Sequence, residues 1–292
     1  MAKDEELIPE AGRSASWWRW VRISIGYAAF VAAVVYGLKN APAAAWRIDP
    51  GWLALAAIAM GASIFFQVVQ AVIFLRCHDV SGEWFAAFLF TLRKTVLNVL
   101  LPARSGTLLV LQTLTRRCPV KWYQYVHFSL VASIASLGVS MLAAGFVWLG
   151  WRQGLVLSIA GVVATMGVAR YARLRYLDRM VGLLLVATGM YLSFLMGFWC
   201  LINGLGWNLN LGQAAVFAIL MNLLALVSIT PGNLGVREAM LGAAAPMLSV
   251  PVSVGILVGA CVYVLRLLVG AALLLAFEWT EARRTALAST QD

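Results

Sequence analysis

Five cationic side chains sit where a bilayer would penalise them. Arg93 and Lys94 fall midway along the apolar segment 84–101, Arg104 in LPARSGT, Arg237 in ITPGNLGVREAM, and Arg266 near the middle of the last apolar run. An unpaired cation at mid-bilayer depth costs at least ~2.5 kcal/mol on insertion scales. The same region offers one carboxylate, Glu238, which can compensate one of the five. Arg93 and Lys94 have stems long enough to carry their heads toward the interface. The remaining guanidinia call for a shared polar cavity. Phosphate is the simplest anion to balance them, because arginine grips it through two parallel hydrogen bonds. Glu238 then either stabilises Arg237 or competes with the ligand for it. Asn98 and Asn222 each lie a few residues ahead of a break, and either line that cavity or hydrogen-bond neighbouring helices. The candidate ligand-binding set is Arg93, Lys94, Asn98, Arg104, Asn222, Arg237, Glu238 and Arg266.

Two breaks must position these groups. The first carries Pro102 and Gly106, the second Pro231, Gly232, Asn233 and Gly235. Proline removes a backbone donor and frees a carbonyl, and glycine permits the sharp turn. In lipid such backbone survives only where it is buried in protein or lines a wet cavity. Half-helices that restart after a break, from Thr107 onward and from Val236 onward, aim unpaired N–H groups and a partial positive charge into that space. An anionic group is the natural ligand of such ends. The alternative is that each break is a proline-containing turn between two short, complete spans.

The elements around the breaks are membrane helices. The chain of 292 residues is 62% hydrophobic and 12% charged, about half the charge of an ordinary soluble domain. Apolar runs of the length needed to cross about 30 Å of hydrocarbon recur along it. Spans are expected near 23–39, 52–75, 124–149, 154–168, 181–201 and 252–277, with an outer turn at Arg152 between the fourth and fifth segments. The helix–break–helix segments 84–115 and 213–248 complete about eight membrane segments. The organisation is a cytoplasmic segment 1–22, a transmembrane domain 23–277 and a cytoplasmic tail 278–292.

The net charge of +10 does not point to nucleic acid, because its distribution is that of the positive-inside rule. Fourteen of the 22 Lys and Arg residues lie in segments assigned to one side, and only Lys39, Arg47 and Arg152 on the other. Both termini are therefore expected in the cytoplasm. The count of crossings then closes only if 84–115 enters from the cytoplasmic face and 213–248 from the outer face. An all-α polytopic membrane protein with two oppositely inserted, broken or re-entrant hairpins is the architecture of an inverted repeat, from which transporters build substrate sites.

Enzymatic chemistry finds little support. The chain has no GxSxG elbow, no P-loop and no metal-ligand cluster, and Glu238 alone makes a poor acid–base pair. Cys77, Cys118, Cys200 and Cys261 are scattered without a CxxC pair. The Ser129, Ser133, Ser136 and Ser140 stripe reads as close helix packing, and Gln67 and Gln70 as structural. No catalytic residue, metal or cofactor is expected.

The pattern PG-x-LG-x-RE at 231–238, with LLPARSGTLL upstream, resembles the lysylphosphatidylglycerol synthase transmembrane family, also called the flippase-like domain family. The resemblance covers essentially the whole chain in length and span order. Family members often place a glycine–acid pair and then an arginine in the first motif, where this chain has Gly106, Thr107 and Val110. The resemblance implies a domain that moves a lipid between leaflets. Residues 278–292 are too few for the cytosolic aminoacyl-transferase domain of the best-known members, so lysyl-lipid synthesis is not expected. The expected function is transport of an anionic, phosphate-bearing lipid, a phospholipid or polyprenyl-phosphate-linked, across a bacterial or archaeal inner membrane. The alternative is a non-transporting scaffold that binds lipid and recruits an envelope-lipid enzyme through the basic loop 169–179. Expected partners are the lipid, the bilayer, and a lipid-modifying enzyme or a second copy of the chain.

Overall fold

A computed structural model describes residues 12–43, 49–80, 83–100, 105–117, 120–171, 179–226 and 233–288. Among these residues there are nine α-helices, short 3-10 segments including Ala245–Leu248, and no strand. They are α1 (Gly12–Asn40), α2 (Pro50–Arg76), α3 (Glu83–Leu100), α4 (Ser105–Arg117), α5 (Trp122–Tyr171), α6 (Met180–Gly204), α7 (Leu211–Leu226), α8 (Val236–Ala244) and α9 (Val252–Ala288). Among the described residues four stretches are long and apolar enough to cross a membrane: Pro50–Arg76, Trp122–Val147, Met180–Gly204 and Val252–Thr280. Leu211–Leu224 is a shorter apolar helix. These make the chain an all-helical, multi-pass membrane protein. Ile58, Leu185, Leu268 and Leu275 are each 60% or more exposed, as side chains facing acyl tails must be.

Local rules explain where helices start and stop. At α2, Asp49 Oδ1 accepts the Gly51 N–H at 2.8 Å while Pro50 occupies the first turn, where its missing donor is not needed. Helix α3 stops at Leu100, two residues before Pro102. The stretch GWRQG at 150–154 is different: the sequence suggests a turn at Arg152, yet α5 runs through it as one helix of 50 residues, about 75 Å long. It contains no proline, and two glycines weaken a helix by about 1 kcal/mol each without removing a hydrogen bond. Helices α1 and α9 also overrun the expected limits, starting at Gly12 and continuing to Ala288.

The core is organised by α2 against α6 and by α9 against α8, α3 and α1. On α2 the buried residues Ala56, Met60, Ile64, Val68, Ala71 and Leu75 fall on one helical stripe. Leu183, Ala187, Phe194, Phe198 and Leu201 of α6 belong to the same core. Helix α9 carries a second stripe, Gly259, Tyr263, Arg266 and Gly270, spaced 4, 3 and 4 residues apart and so stacked on one face over about 16 Å. That stripe positions the site.

Candidate functional site

Both breaks are closed in the same way, by an asparagine that reaches nine residues along the chain. Asn98, in the last turns of α3, accepts the Thr107 N–H at 2.9 Å through Oδ1 and donates from Nδ2 to Thr107 Oγ1 at 2.7 Å. Asn233, with φ of 56°, donates from Nδ2 to the Leu224 carbonyl at 2.6 Å. One asparagine satisfies an orphan donor at the start of a half-helix and the other an orphan carbonyl near the end of one. Gly106 lies at the α3–α4 crossing, and Gly235 forms the entry to α8. Pro102, Arg104, Pro231 and Gly232 lie outside the described residues.

The Arg237–Glu238 pair is built on the second break. Gly235 has φ 79° and ψ −44°, a conformation that side chains resist. Its N–H donates to Glu238 Oε2 at 2.7 Å, the carboxylate half of a capping box. Glu238 Oε1 accepts from Arg237 Nε at 3.0 Å and Nη2 at 2.6 Å. Both carboxylate oxygens are thus engaged, and Glu238 is 0% exposed. The guanidinium of Arg237 lies 4.9 Å over the Tyr263 ring. Replacing Gly235 with alanine adds a Cβ 2.6 Å from Ala29 Cβ and 3.2 Å from the Phe30 nitrogen. The backbone strain alone should remove about 1–3 kcal/mol. Thermal unfolding of the purified variant in detergent, followed by tryptophan fluorescence, measures it.

A cavity of about 640 Å³ lies between the two breaks. It is lined by Lys94, Thr95 and Asn98 of α3, Thr107 and Leu108 of α4, and Tyr125, Val126, Ser129 and Ser136 of α5. Phe194 of α6, Asn222 of α7, Asn233, Arg237 of α8, and Tyr263 and Arg266 of α9 complete most of the wall. Among the described residues three cations therefore face one space, and no Asp or Glu lines it. Arg266 lies 5.5 Å over Phe194, and its buried Nε has no hydrogen-bond partner among the described residues. Lys94 Nζ lies 5.6 Å over Phe90. Leu108 and Val126 line the cavity yet are 65% and 47% exposed, so its rim at α4 and α5 is apolar.

The expected ligand set is brought together in part. Lys94, Asn98, Asn222, Arg237 and Arg266 line one cavity. Arg93 does not: it pairs with Glu278 at 3.0 Å on an exposed flank, where an ion pair contributes little. Glu238 stands behind Arg237 rather than in the wall. Of the helix-terminal N–H groups expected to face an anion, that of Thr107 is already taken by Asn98, and the Gly235 N–H just ahead of the second half-helix is taken by Glu238. The side-chain cations, not these backbone donors, supply the positive surface. Tyr263, Phe194 and Thr95 went unread as site residues. Ser129, Ser136 and Gln67, read as packing or structural residues, line the cavity. Among the described residues no three His, Cys, Asp or Glu side chains converge to hold a metal. Comparison with protein-family models, with curated proteins and with solved structures gives no match.

Proposed function

We propose that the chain is a flippase-type transporter that moves an anionic, phosphate-bearing lipid across a cytoplasmic membrane, as the motif resemblance implies. The observation that carries this reading is the cavity itself: cationic within, free of lining carboxylates among the described residues, and rimmed by exposed apolar side chains at α4 and α5. An amphiphile satisfies both halves. Its phosphate balances the guanidinia, and its tails leave over Leu108 and Val126 into the bilayer. Broken helices paired across a substrate cavity are a recurrent plan for secondary transporters. The two hairpins are read as the paired broken helices of that plan; the unbroken α5 removes the turn at Arg152 on which the crossing count rested, so their opposite insertion no longer follows from that count.

Arg266 provides the sharpest test, because its contribution to function and its contribution to stability have opposite signs. It is a cation on a membrane-depth helix without a carboxylate partner among the described residues, so removing it should leave stability unchanged or raise it. A charge-assisted contact to phosphate contributes about 1.5–3 kcal/mol. Arg266→Gln should then slow lipid movement by about tenfold or more. The measurement is leaflet-resolved quenching of labelled anionic lipid in proteoliposomes. Wild-type rates from well-folded Arg266→Gln protein, or no movement by the wild type, would remove the proposal.

A further inference from the structure

The charges that face the cavity are not equivalent, and their inventory sets the charge of the ligand. Arg237 has its counter-ion, since Glu238 accepts from it through Oε1 and is itself wholly buried. Lys94 and Arg266 have no carboxylate within salt-bridge distance among the described residues. The stretches 101–104 and 227–232, outside the described residues, contain no acidic residue, and the first contains Arg104. Among the described residues two positive charges are therefore left open on the cavity.

Both line the same cavity, Lys94 from α3 and Arg266 from α9. A Cβ at Gly270 would lie 3.5 Å from Thr95 Cγ2, so Thr95, the neighbour of Lys94 in the chain, packs against α9 one turn beyond Arg266. Thr95 Oγ1 is buried and has no hydrogen-bond partner among the described residues, on a residue only 5% exposed that itself lines the cavity. Arg266 Nε is likewise without a partner. Groups with hydrogen-bonding capacity to spare surround two uncompensated cations, which is the complement of a compact, multiply charged, oxygen-rich anion.

We infer that the lipid carried in this cavity bears at least two negative charges on its head group, as a terminal phosphate monoester, a diphosphate or a pair of phosphodiesters does. A single phosphodiester leaves one of the two cations open in a low-dielectric wall, and a dianion closes both. A phosphate monoester carries close to two charges once the pH is well above its second pKa of about 6. The inference rests on the anionic-lipid reading above and narrows it to a charge class.

Binding to the purified protein in a neutral detergent, measured by native mass spectrometry at about pH 8 and fixed ionic strength, tests it; the pH keeps a phosphomonoester fully ionised. The probes share acyl chains where their chemistry allows: phosphatidic acid and a polyprenyl phosphate as monoesters, cardiolipin as two phosphodiesters, phosphatidylglycerol as one, and phosphatidylcholine as the neutral reference. Dianionic heads are expected to bind about tenfold or more tightly than phosphatidylglycerol, the effect of one further desolvated charge pair. The gap should close in Lys94→Gln and in Arg266→Gln. It should persist in Arg266→Lys, which keeps the charge, and in Lys121→Gln, a cation on the exposed surface. A gap for the monoesters alone assigns a terminal phosphate; a gap for cardiolipin alone assigns paired diesters; both support the charge count. Phosphatidylglycerol binding as tightly as the dianions, with binding still lost in Arg266→Gln, overturns the charge count and leaves the anionic-lipid reading standing. No preference for any anionic lipid over phosphatidylcholine overturns both.

Discussion

Replacing Glu238 by glutamine is expected to destabilise the protein by about 3–5 kcal/mol, the loss typical of breaking a buried ion pair from one side. Glutamine keeps the size of the side chain and one acceptor oxygen. That oxygen can serve the Gly235 N–H or the Arg237 guanidinium, whereas the carboxylate serves both, at 2.7 Å and 2.6 Å. The amide also turns donors toward a cation. Arg237, 7% exposed, is then left charged and without a counter-ion beneath the Tyr263 ring. Its removal together with Glu238 should undo much of the damage. Arg237→Gln/Glu238→Gln leaves neither charge of this pair and is expected to be more stable than Glu238→Gln alone, a coupling of several kcal/mol in a double-mutant cycle. Thermal unfolding midpoints of the four proteins in one detergent measure this. Strict additivity would show that Glu238 is not the counter-ion of Arg237. Both carboxylate oxygens are occupied within the fold and Glu238 is not among the described residues that line the cavity, which supports a part in holding the guanidinium and the turn.

What was legible in the sequence follows the range of the interactions involved. The limits of α3, α4, α7 and α8 lie within a few residues of those read from Pro102, Gly106, Pro231 and Gly235, because proline and glycine act on their own backbone. The capping of Gly235 by Glu238 spans three residues and belongs to a recognised local pattern. Arg93 turns to an exposed flank, as its long stem allows, and its partner Glu278 lies 185 residues away, where a count of charges within apolar stretches cannot see it. Tyr263 and Phe194 became site residues only by lying under guanidinia on neighbouring helices. Ser129 and Ser136 share a helix face, and whether that face meets a helix or a cavity is decided by how α4 and α7 sit beside it. The supposed turn at Arg152 rested on a charge and two glycines, none of which obliges a helix to stop.

Gly106→Val is expected to open the first hairpin and take the cavity with it. A Cβ at this position would lie 2.6 Å from the Asn98 nitrogen, 2.6 Å from the Leu97 carbonyl carbon and 2.6 Å from Leu97 Cβ. Two of those neighbours are backbone of α3, so no rotamer change relieves the clash and the start of α4 must move as a unit. Overpacking of this kind costs about 1–3 kcal/mol. The displacement also pulls Thr107 away from Asn98, where its N–H donates at 2.9 Å and its hydroxyl accepts at 2.7 Å. Each lost neutral hydrogen bond adds about 1 kcal/mol. Valine adds a β-branched side chain where alanine would bring only the first clash, so Gly106→Ala should fall between the variant and the wild type. The readout that separates this from general unfolding is local. A cysteine pair placed across the break is expected to lose spontaneous cross-linking in Gly106→Val, while a pair across α2 and α6 retains it, because that helix pair packs through Met60, Ala187 and Phe198, none of which a Cβ at Gly106 would meet. Lipid movement should fall with the first cross-link and not with the second. Unchanged cross-linking across the break, together with wild-type transport, would mean that the tight α3–α4 crossing at Gly106 is not what holds the cavity together.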